Sequence, residues 1–396
     1  MKRMGATVVL TGLGYLGGPL LDRLAVSAAV GRIVAVSRDP DRGAARCNLS
    51  RLSAAAVGVG AEIEHRPADL SHPEQIAGIV EEVSPDLVIH TASLQTWWLL
   101  DLFPPAAQVL KTAGFGAWLP LHLVLAVRLM EGLTAAGYEG HVINAVYPDV
   151  INVVLGKMGM APTVGVGNVD EVVTKVRMVV ARDLSIGPHD LDVRLVAHHA
   201  LQRAAFRRPQ GRASAGTGPV GRRNDDQLPP YYLWVGQQGR DLTEQADARG
   251  ALLGPCPLPD GPGWAGFTAA SAVGLVGALL SERTWRMHAP GPAGLPGGYP
   301  IDVGGGKIVV SEIPNLSLDE AISINERSHR FDGIETIEED GSVVFTEESA
   351  AVMRDALGYE GKTLQPAEAA DRADELSRRF SEYARRHGVD LAVFAG

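Results

Sequence analysis

A glycine-rich segment near the start of the sequence has the spacing of a dinucleotide-binding turn. It follows an apolar run, Ala6–Thr11, that is typical of a buried strand, and it opens a stretch with helical periodicity. Glycines at this spacing permit a tight turn and the close approach of a pyrophosphate, which the N-terminus of the following helix attracts. The sequence therefore predicts that the phosphates bind at Gly12, Gly14, Tyr15, Leu16 and Gly17.

The end of the second apolar run, residues 32–37, indicates which dinucleotide binds. A site for NAD usually has an acidic residue there, which binds the ribose 2′-hydroxyl. This chain has Ser37 followed by Arg38. A guanidinium offers several donors to phosphate oxygens, so the pair favours a 2′-phosphate and hence NADP. Asp39 follows at once, and NAD is the alternative.

The order of several further blocks resembles that of the malate and lactate dehydrogenases. The resemblance runs from about residue 6 to residue 328, and a stretch near 203–250 has no match. One block, Asn144-Ala145-Val146-Tyr147-Pro148-Asp149, is similar to the Asn-Pro-Val-Asp turn of that family. The others are residues 85–93, which end near the nicotinamide in the family, residues 165–171, which carry its catalytic carboxylate, and residues 196–199, which end in its proton-transferring histidine.

The resemblance implies a role for individual residues of this chain. His199 falls on the histidine that transfers the proton, and Glu171 falls on the carboxylate that orients it, with Asp170 as the alternative. Asn144 would hydrogen-bond the substrate oxygen, and Lys175 lies where the family has the arginine that holds the substrate carboxylate. The nicotinamide would lie against Thr91, Ala92 and Ser93. Histidine titrates near neutral pH, so it can donate a proton to a carbonyl oxygen as hydride arrives.

The substrate residues of this chain depart from the family pattern. Residues 94–126 contain no arginine, although the family has one there that polarises the carbonyl, and Lys175 cannot make the flat two-pronged contact of an arginine. The same stretch contains several aromatic residues, among them Trp97 and Trp98. These features disfavour a small 2-oxo acid such as oxaloacetate. They favour a larger substrate with an apolar portion, contacted by Trp97, Trp98, Lys175 and His198. Alternatively, the aromatic residues pack in a lid or in a subunit contact.

The sequence thus predicts an NADP(H)-dependent dehydrogenase or reductase acting on a ketone, a 2-oxo acid derivative or an imine. Tyr147 and Lys175 are alternative proton donors. The rival interpretation is a dinucleotide-binding sensor or assembly subunit without catalysis, which the missing arginine supports. An arginine-rich stretch, residues 203–223, either binds an anionic group of the substrate or is a solvated loop.

The elements that must position these residues follow a regular alternation. Short apolar runs alternate with helical segments in the first half of the chain, which predicts an α/β fold with a parallel sheet covered on both faces. We expect a doubly wound Rossmann domain over residues 1–163 and, from the resemblance, an α+β substrate domain over residues 164–330. Residues 331–396 form an acidic C-terminal extension with 15 acidic and 7 basic residues, whose function the sequence does not indicate.

Composition narrows the choice of partners and compartment. The net charge of −10 disfavours a broad nucleic-acid surface, and no continuous apolar run reaches the length of a membrane span. Two cysteines exclude a disulfide framework, which favours a reducing cytoplasm, and no Cys/His cluster has the spacing of a metal site. The expected partner is a small-molecule substrate, and the resemblance implies a homodimer or a higher homo-oligomer.

Overall fold

A computed structural model describes residues 5–206, 228–259 and 261–391. Its first half is a parallel sheet whose strands are β1 (Ala6–Thr11), β2 (Val30–Ser37), β3 (Glu62–Pro67), β4 (Leu87–His90), β5 (His141–Asn144) and β6 (Val164–Gly165). The spatial order is β3-β2-β1-β4-β5-β6. The direction of winding reverses between β1 and β4, and nucleotides bind at such a point, outside the carboxyl ends of the strands.

Helices cover both faces of this sheet. They are α1 (Gly17–Ala25), α2 (Pro40–Ala56), α3 (Pro73–Val83), α4 (Leu119–Ala135) and α5 (Pro148–Lys157). Because both faces are covered, the central strands β1 and β4 are buried along nearly their whole length. The predicted doubly wound α/β sheet is therefore confirmed.

A second, antiparallel sheet follows in the chain. Its strands and the helices around it are α6 (Val169–Leu184), β7 (Asp192–Ala197), α7 (His199–Ala205), β8 (Tyr231–Gln237), β9 (Arg240–Asp241), α8 (Thr243–Ala248), α9 (Ala265–Leu279), β10 (Trp285–Pro290), β11 (Gly298–Gly304), β12 (Lys307–Val310) and α10 (Leu318–Ser328). The strands run in the order β10-β11-β7-β8-β9, with β12 paired to β11. The predicted boundary at residue 163 lies just before β6, which still belongs to the first sheet.

The C-terminal segment, residues 331–391, folds back onto the first domain. It contains β13 (Ile334–Ile337), β14 (Val343–Phe345), α11 (Glu347–Leu357), β15 (Thr363–Leu364) and α12 (Ala369–Arg386). The Phe380 ring on α12 is fully buried, with its centroid 5.5 Å from that of Phe103 and 5.1 Å from that of Trp118. Tyr383 donates a 3.0 Å hydrogen bond to the carbonyl of Ala107. The segment thus shares one hydrophobic core with the first sheet.

One helical stretch, Gly116–Ala135, is long and apolar enough in length and composition to cross a membrane. Arg128 and Glu131 interrupt it, so it contains no continuous apolar run of that length. In the structure, 89% of its most apolar window is buried inside the protein, between α3 and α12. Its apolar character is accounted for by this central position.

Candidate active site

The glycine-rich turn lies at the carboxyl ends of β1 and β4. Gly12 has φ +90°, and a Cβ there would lie 2.8 Å from the backbone nitrogen of Ala92. A Cβ on Gly17 would lie 1.9 Å from the carbonyl oxygen of Gly12. The hydroxyl of Thr91 donates to that same carbonyl at 3.0 Å. A Cβ on Gly14, in contrast, would meet nothing within 4 Å. The turn is therefore closed on the protein side and open on the other, as the approach of a pyrophosphate to the N-terminus of α1 requires.

Other predicted cofactor residues surround this turn. Leu16 is the N-cap residue of α1, and Tyr15 donates a hydrogen bond to the carbonyl of Gly261 at 3.2 Å. Ser93 lies just beyond Ala92 in the loop after β4, where its hydroxyl donates to the carbonyl of Gln95. Trp98 lies close by, with its ring centroid 6.3 Å from that of Tyr15. The structure thus places these residues around the glycine-rich turn.

The residues at the end of β2 divide into two groups. Ser37 forms a 2.9 Å hydrogen bond with His65, and Arg38 is exposed. The carboxylate of Asp39 accepts the backbone N–H groups of Asp41 and Arg42 and so caps α2. Oδ1 of Asp39 is thus engaged by its own helix, as is usual for an N-cap residue.

The loop after β5 is shaped by Asn144. Its amide donates to the side-chain oxygen of Asn152 at 2.8 Å and to the carbonyl of Val146 at 3.0 Å, and its own oxygen accepts the N–H of Val146. Both amide hydrogens are therefore bonded within the protein. The predicted hydrogen bond from Asn144 to a substrate oxygen is not available in this structure. It holds the turn in which Tyr147 has φ +41°. A non-glycine residue in this left-handed region costs energy, which the surrounding hydrogen bonds offset.

His199 is the first residue of α7 and lies against the loop after β5. Its backbone N–H donates to the carboxylate of Asp149 at 2.8 Å. Its ring nitrogen Nδ1 lies 2.7 Å from Oδ2 of Asp332, and the hydroxyl of Tyr147 donates to the same oxygen at 3.0 Å. Although burial opposes ionisation, the neighbouring His199 holds the pKa of Asp332 well below its usual range. The site therefore contains a histidine held by an ionised, fully buried carboxylate.

The backbone around Asp332 fits closely against residues 113–116, in the connection between β4 and α4. A Cβ on Gly114 would lie 2.5 Å from the Asp332 carbonyl, and one on Gly333 would lie 2.4 Å from the carbonyl of Ala113. Between these contacts, Phe115 extends over the histidine. Its ring centroid lies 5.0 Å from that of His199. The Phe115 ring is also 4.5 Å from the Tyr147 ring and 5.1 Å from the His122 ring. His199 is thus bordered by an aromatic wall.

Glu171, which the resemblance assigned to orienting His199, lies elsewhere. Its carboxylate accepts hydrogen bonds from Trp264 at 2.8 Å, from Thr268 at 2.5 Å and from Gln202. Burial raises its pKa to about 7. The alternative, Asp170, accepts the hydroxyl of Ser271 instead. Both acids face α9, so the contact predicted for α6 is made by Asp332 of the C-terminal segment.

Lys175 does not face a substrate pocket either. Its ammonium donates to the backbone carbonyls of Ala205 at 2.5 Å, Leu252 at 2.8 Å and Gly254 at 2.7 Å. The residue is 3% exposed, and burial lowers its pKa to about 8. All three ammonium protons are committed to the protein, so Lys175 cannot hold a substrate carboxylate in this structure.

Two predicted substrate residues remain to be placed. His198 is buried and caps α7 through Nδ1, which accepts the N–H of Ala200, while its ring packs 5.0 Å from that of His329. It therefore lies beneath the site instead of lining an open pocket. Trp97 is 40% exposed beside Trp98.

Within the arginine-rich stretch, the structure describes Arg203 at the end of α7, while residues 207–223 lie outside the described residues.

No protein-family model and no curated protein sequence matches the chain. Solved structures match it over most of their length. Malate dehydrogenase from Plasmodium falciparum matches with a TM-score of 0.52 and 13% identity, over 82% of this chain and 95% of that one. Malate dehydrogenase from Cryptosporidium parvum matches with a TM-score of 0.51 and 16% identity, over 83% and 97%.

A third match is lactate dehydrogenase from Eimeria maxima, solved with NADH and oxamate, with a TM-score of 0.52 and 14% identity. It covers 83% of this chain and 94% of that one. Sequence identities this low establish similarity of fold and leave the chemistry to the residues themselves. The chain therefore has the fold of the malate and lactate dehydrogenases, a Rossmann sheet followed by a second, α+β domain.

Proposed function

We propose that this chain is an NADP(H)-dependent oxidoreductase in which His199 exchanges a proton with the substrate. One observation carries the proposal: His199 is hydrogen-bonded to the buried carboxylate of Asp332 at the same sheet edge as the glycine-rich turn. The Asp149 carboxylate, just after β5, binds its backbone, and Phe115, in the connection after β4, packs on its ring. Open α/β sheets bind their ligands outside the carboxyl ends of the strands, where the glycine-rich turn also lies.

The chain's residues fit a dinucleotide. The open face of Gly14 and the N-terminus of α1 would hold the pyrophosphate, and Ser37 with Arg38 would hold a 2′-phosphate. The bound nicotinamide supplies the hydride. His199 supplies the proton to the substrate oxygen or nitrogen in reduction and takes it back in oxidation.

The substrate is a carbonyl or imine compound with an apolar group beside the reacting carbon. The evidence is the aromatic wall of Phe115 and Tyr147 next to His199, together with the absence of arginine from residues 94–126. The ammonium of Lys175 is engaged by three carbonyls and offers no clamp for a carboxylate. An apolar ring or chain would pack on the aromatic wall without leaving a buried charge unpaired.

A binding experiment tests the cofactor. We expect the protein to bind NADPH more tightly than NADH in a fluorescence titration. Arg38→Ala should weaken NADPH binding by about 10- to 100-fold, the value of one charge-assisted hydrogen bond, and leave NADH binding unchanged. Arg327→Ala, an exposed arginine on α10, is the matched control. Equal affinities of the wild type for the two cofactors would contradict the assignment.

A turnover experiment tests the chemistry. A panel of aromatic and aliphatic ketones and imines is screened for NADPH oxidation, and His199→Ala should slow turnover by on the order of 10²–10⁴-fold while NADPH binding persists. Full activity of this variant would remove His199 from the mechanism. Tight NADPH binding without turnover of any compound would instead favour a dinucleotide-binding sensor or assembly subunit, an alternative that the committed contacts of Asn144 and Lys175 support.

A further inference from the structure

The carboxylate that contacts His199 comes from the C-terminal segment and from outside the region that resembles the dehydrogenases. Asp332 is fully buried, and its Oδ2 accepts hydrogen bonds from the Tyr147 hydroxyl and from the His199 ring. An ionised carboxylate in the interior is costly unless a charge compensates it. The groups that could do so are the imidazoles around it and Arg203, an exposed residue on α7 whose charge also lowers the Asp332 pKa.

Two of these imidazoles are not cations at neutral pH. Burial lowers the pKa of His198 well below its usual value and that of His329 to about 4. His198 also stands farther away, with Nδ1 3.7 Å from the carboxylate oxygen. His199 is therefore the imidazole in direct hydrogen-bond contact with the carboxylate, and its Nδ1 must carry a proton to make that contact. This fixes the tautomer and turns Nε2, on the opposite side of the ring, away from the carboxylate.

The position of Asp332 is determined by contacts from two loops. Gly114 and Gly116 approach its backbone so closely that a Cβ on either would lie 2.7 Å or less from its carbonyl oxygen. Tyr147 holds the carboxylate from the loop after β5. The loop after β4, the loop after β5 and the C-terminal segment therefore meet at this one residue. Such a rigid support is what a proton-transferring group needs to keep its orientation.

We infer that Asp332 is the positioning residue for His199, so that the C-terminal segment is a working part of the catalytic centre. This inference rests on the proposed function. In reduction, hydride adds to the substrate carbon and the proton on Nε2 of His199 passes to the substrate oxygen or nitrogen, which leaves a neutral imidazole. Asp332 stays ionised throughout and holds the proton on Nδ1, as a carboxylate does in other histidine-based sites.

The decisive comparison uses three acid-to-amide variants of the full chain: Asp332→Asn, Glu171→Gln and Asp355→Asn. Proton NMR should show a low-field resonance from the Nδ1 proton of His199, assigned by its loss in His199→Gln. We expect Asp332→Asn to abolish this resonance and to lower kcat by on the order of 10²–10⁴-fold, with little change in NADPH affinity. Asp355 is exposed on α11, so its variant should behave like the wild type.

Two outcomes would overturn the inference: a resonance and kcat unchanged in Asp332→Asn, or a resonance lost in Glu171→Gln instead. Should Asp332→Asn fail to fold by circular dichroism, Asp332→Glu keeps the buried charge and displaces its oxygens. A folded Asp332→Glu variant with wild-type kcat would contradict the positioning role, and a large loss of kcat would support it.

The resonance requires no substrate, so failure of the inference can be told from failure of the proposed function. A resonance that depends on Asp332, in a protein that turns over no compound, would support the pairing and refute the oxidoreductase activity. An active enzyme whose kcat is insensitive to Asp332→Asn would leave the activity standing and refute the inference.

Discussion

Replacing Lys175 with methionine separates a structural role of this lysine from a role in binding substrate. Its ammonium joins the end of α7, at Ala205, to the loop after α8, at Leu252 and Gly254. The last carbonyls of a helix have no partner within the helix, and a cation near them is also favoured by the helix dipole. Lys175 therefore satisfies three buried acceptors that methionine, of similar length and volume, leaves without a donor.

The expected loss follows from these contacts. Each hydrogen bond from a charged donor contributes about 1.5–3 kcal/mol, and burying the ammonium costs several kcal/mol in return. Because methionine removes the cost together with the bonds, we expect the free energy of unfolding to fall by about 2–4 kcal/mol, mostly from the unsatisfied carbonyls. Urea unfolding followed by circular dichroism measures this difference.

Lys157→Met provides the matched control. Lys157 pairs with Glu339, whose side chain is 94% exposed, and such surface pairs contribute little to stability. We expect this variant to unfold at the wild-type urea concentration. If Lys175→Met matched the control in stability and instead raised KM for an anionic substrate with kcat unchanged, the lysine would be the substrate anchor that the family resemblance implies, and the structural argument would be refuted.

Three further predictions follow from single sites. Burial raises the Glu171 pKa from 4.5 to about 7, so the folded state binds this proton more tightly and loses that advantage as pH rises from 4.5 to 7. Glu171→Gln should therefore gain stability relative to the wild type across this interval, measured by urea unfolding at pH 5 and pH 8. Phe380→Ala should lower the free energy of unfolding by about 3–5 kcal/mol, and fluorescence and circular dichroism should report the same single unfolding transition. A separate unfolding transition of the C-terminal segment would contradict the shared core. Gly17→Ala should abolish NADPH binding because its Cβ would overlap the Gly12 carbonyl, whereas Gly14→Ala should fold normally and only weaken binding in the same titration.

Local patterns in the sequence were sufficient for much of the fold. The first strand, glycine turn and helix lie within about 20 residues, where periodicity and glycine spacing act directly on the backbone. Helix α2 shows the limit, since no hydrophobic periodicity predicts it. Its buried positions have helical spacing, but they are small residues with no apolar stripe: Gly43, Cys47, Ser50 and Ala54. The helix is indicated instead by Asp39 as its cap and by Pro40 in its first turn.

The site could be predicted only where its residues lie close together along the chain. The order and spacing of the sequence blocks predict His199, but its carboxylate partner lies 133 positions away. Glu171 and Lys175 lie four positions apart on α6, and this spacing does not show that they pack against α9 and the loop after α8. Their actual partners, such as Trp264 at 93 positions from Glu171, are set by tertiary packing.

The net charge of the C-terminal segment does not distinguish Asp332 from its other acidic residues. Fourteen of the 15 acidic residues of residues 331–391 are exposed or half-buried, and they account for most of the acidity of this segment. Asp332 is the one fully buried acid among them. A composition count weights it equally with the rest, although an ionised carboxylate in the interior must be compensated and an exposed one need not be. Its hydrogen-bond partner His199 lies in the second domain, so this single carboxylate links the C-terminal segment to the proposed chemistry.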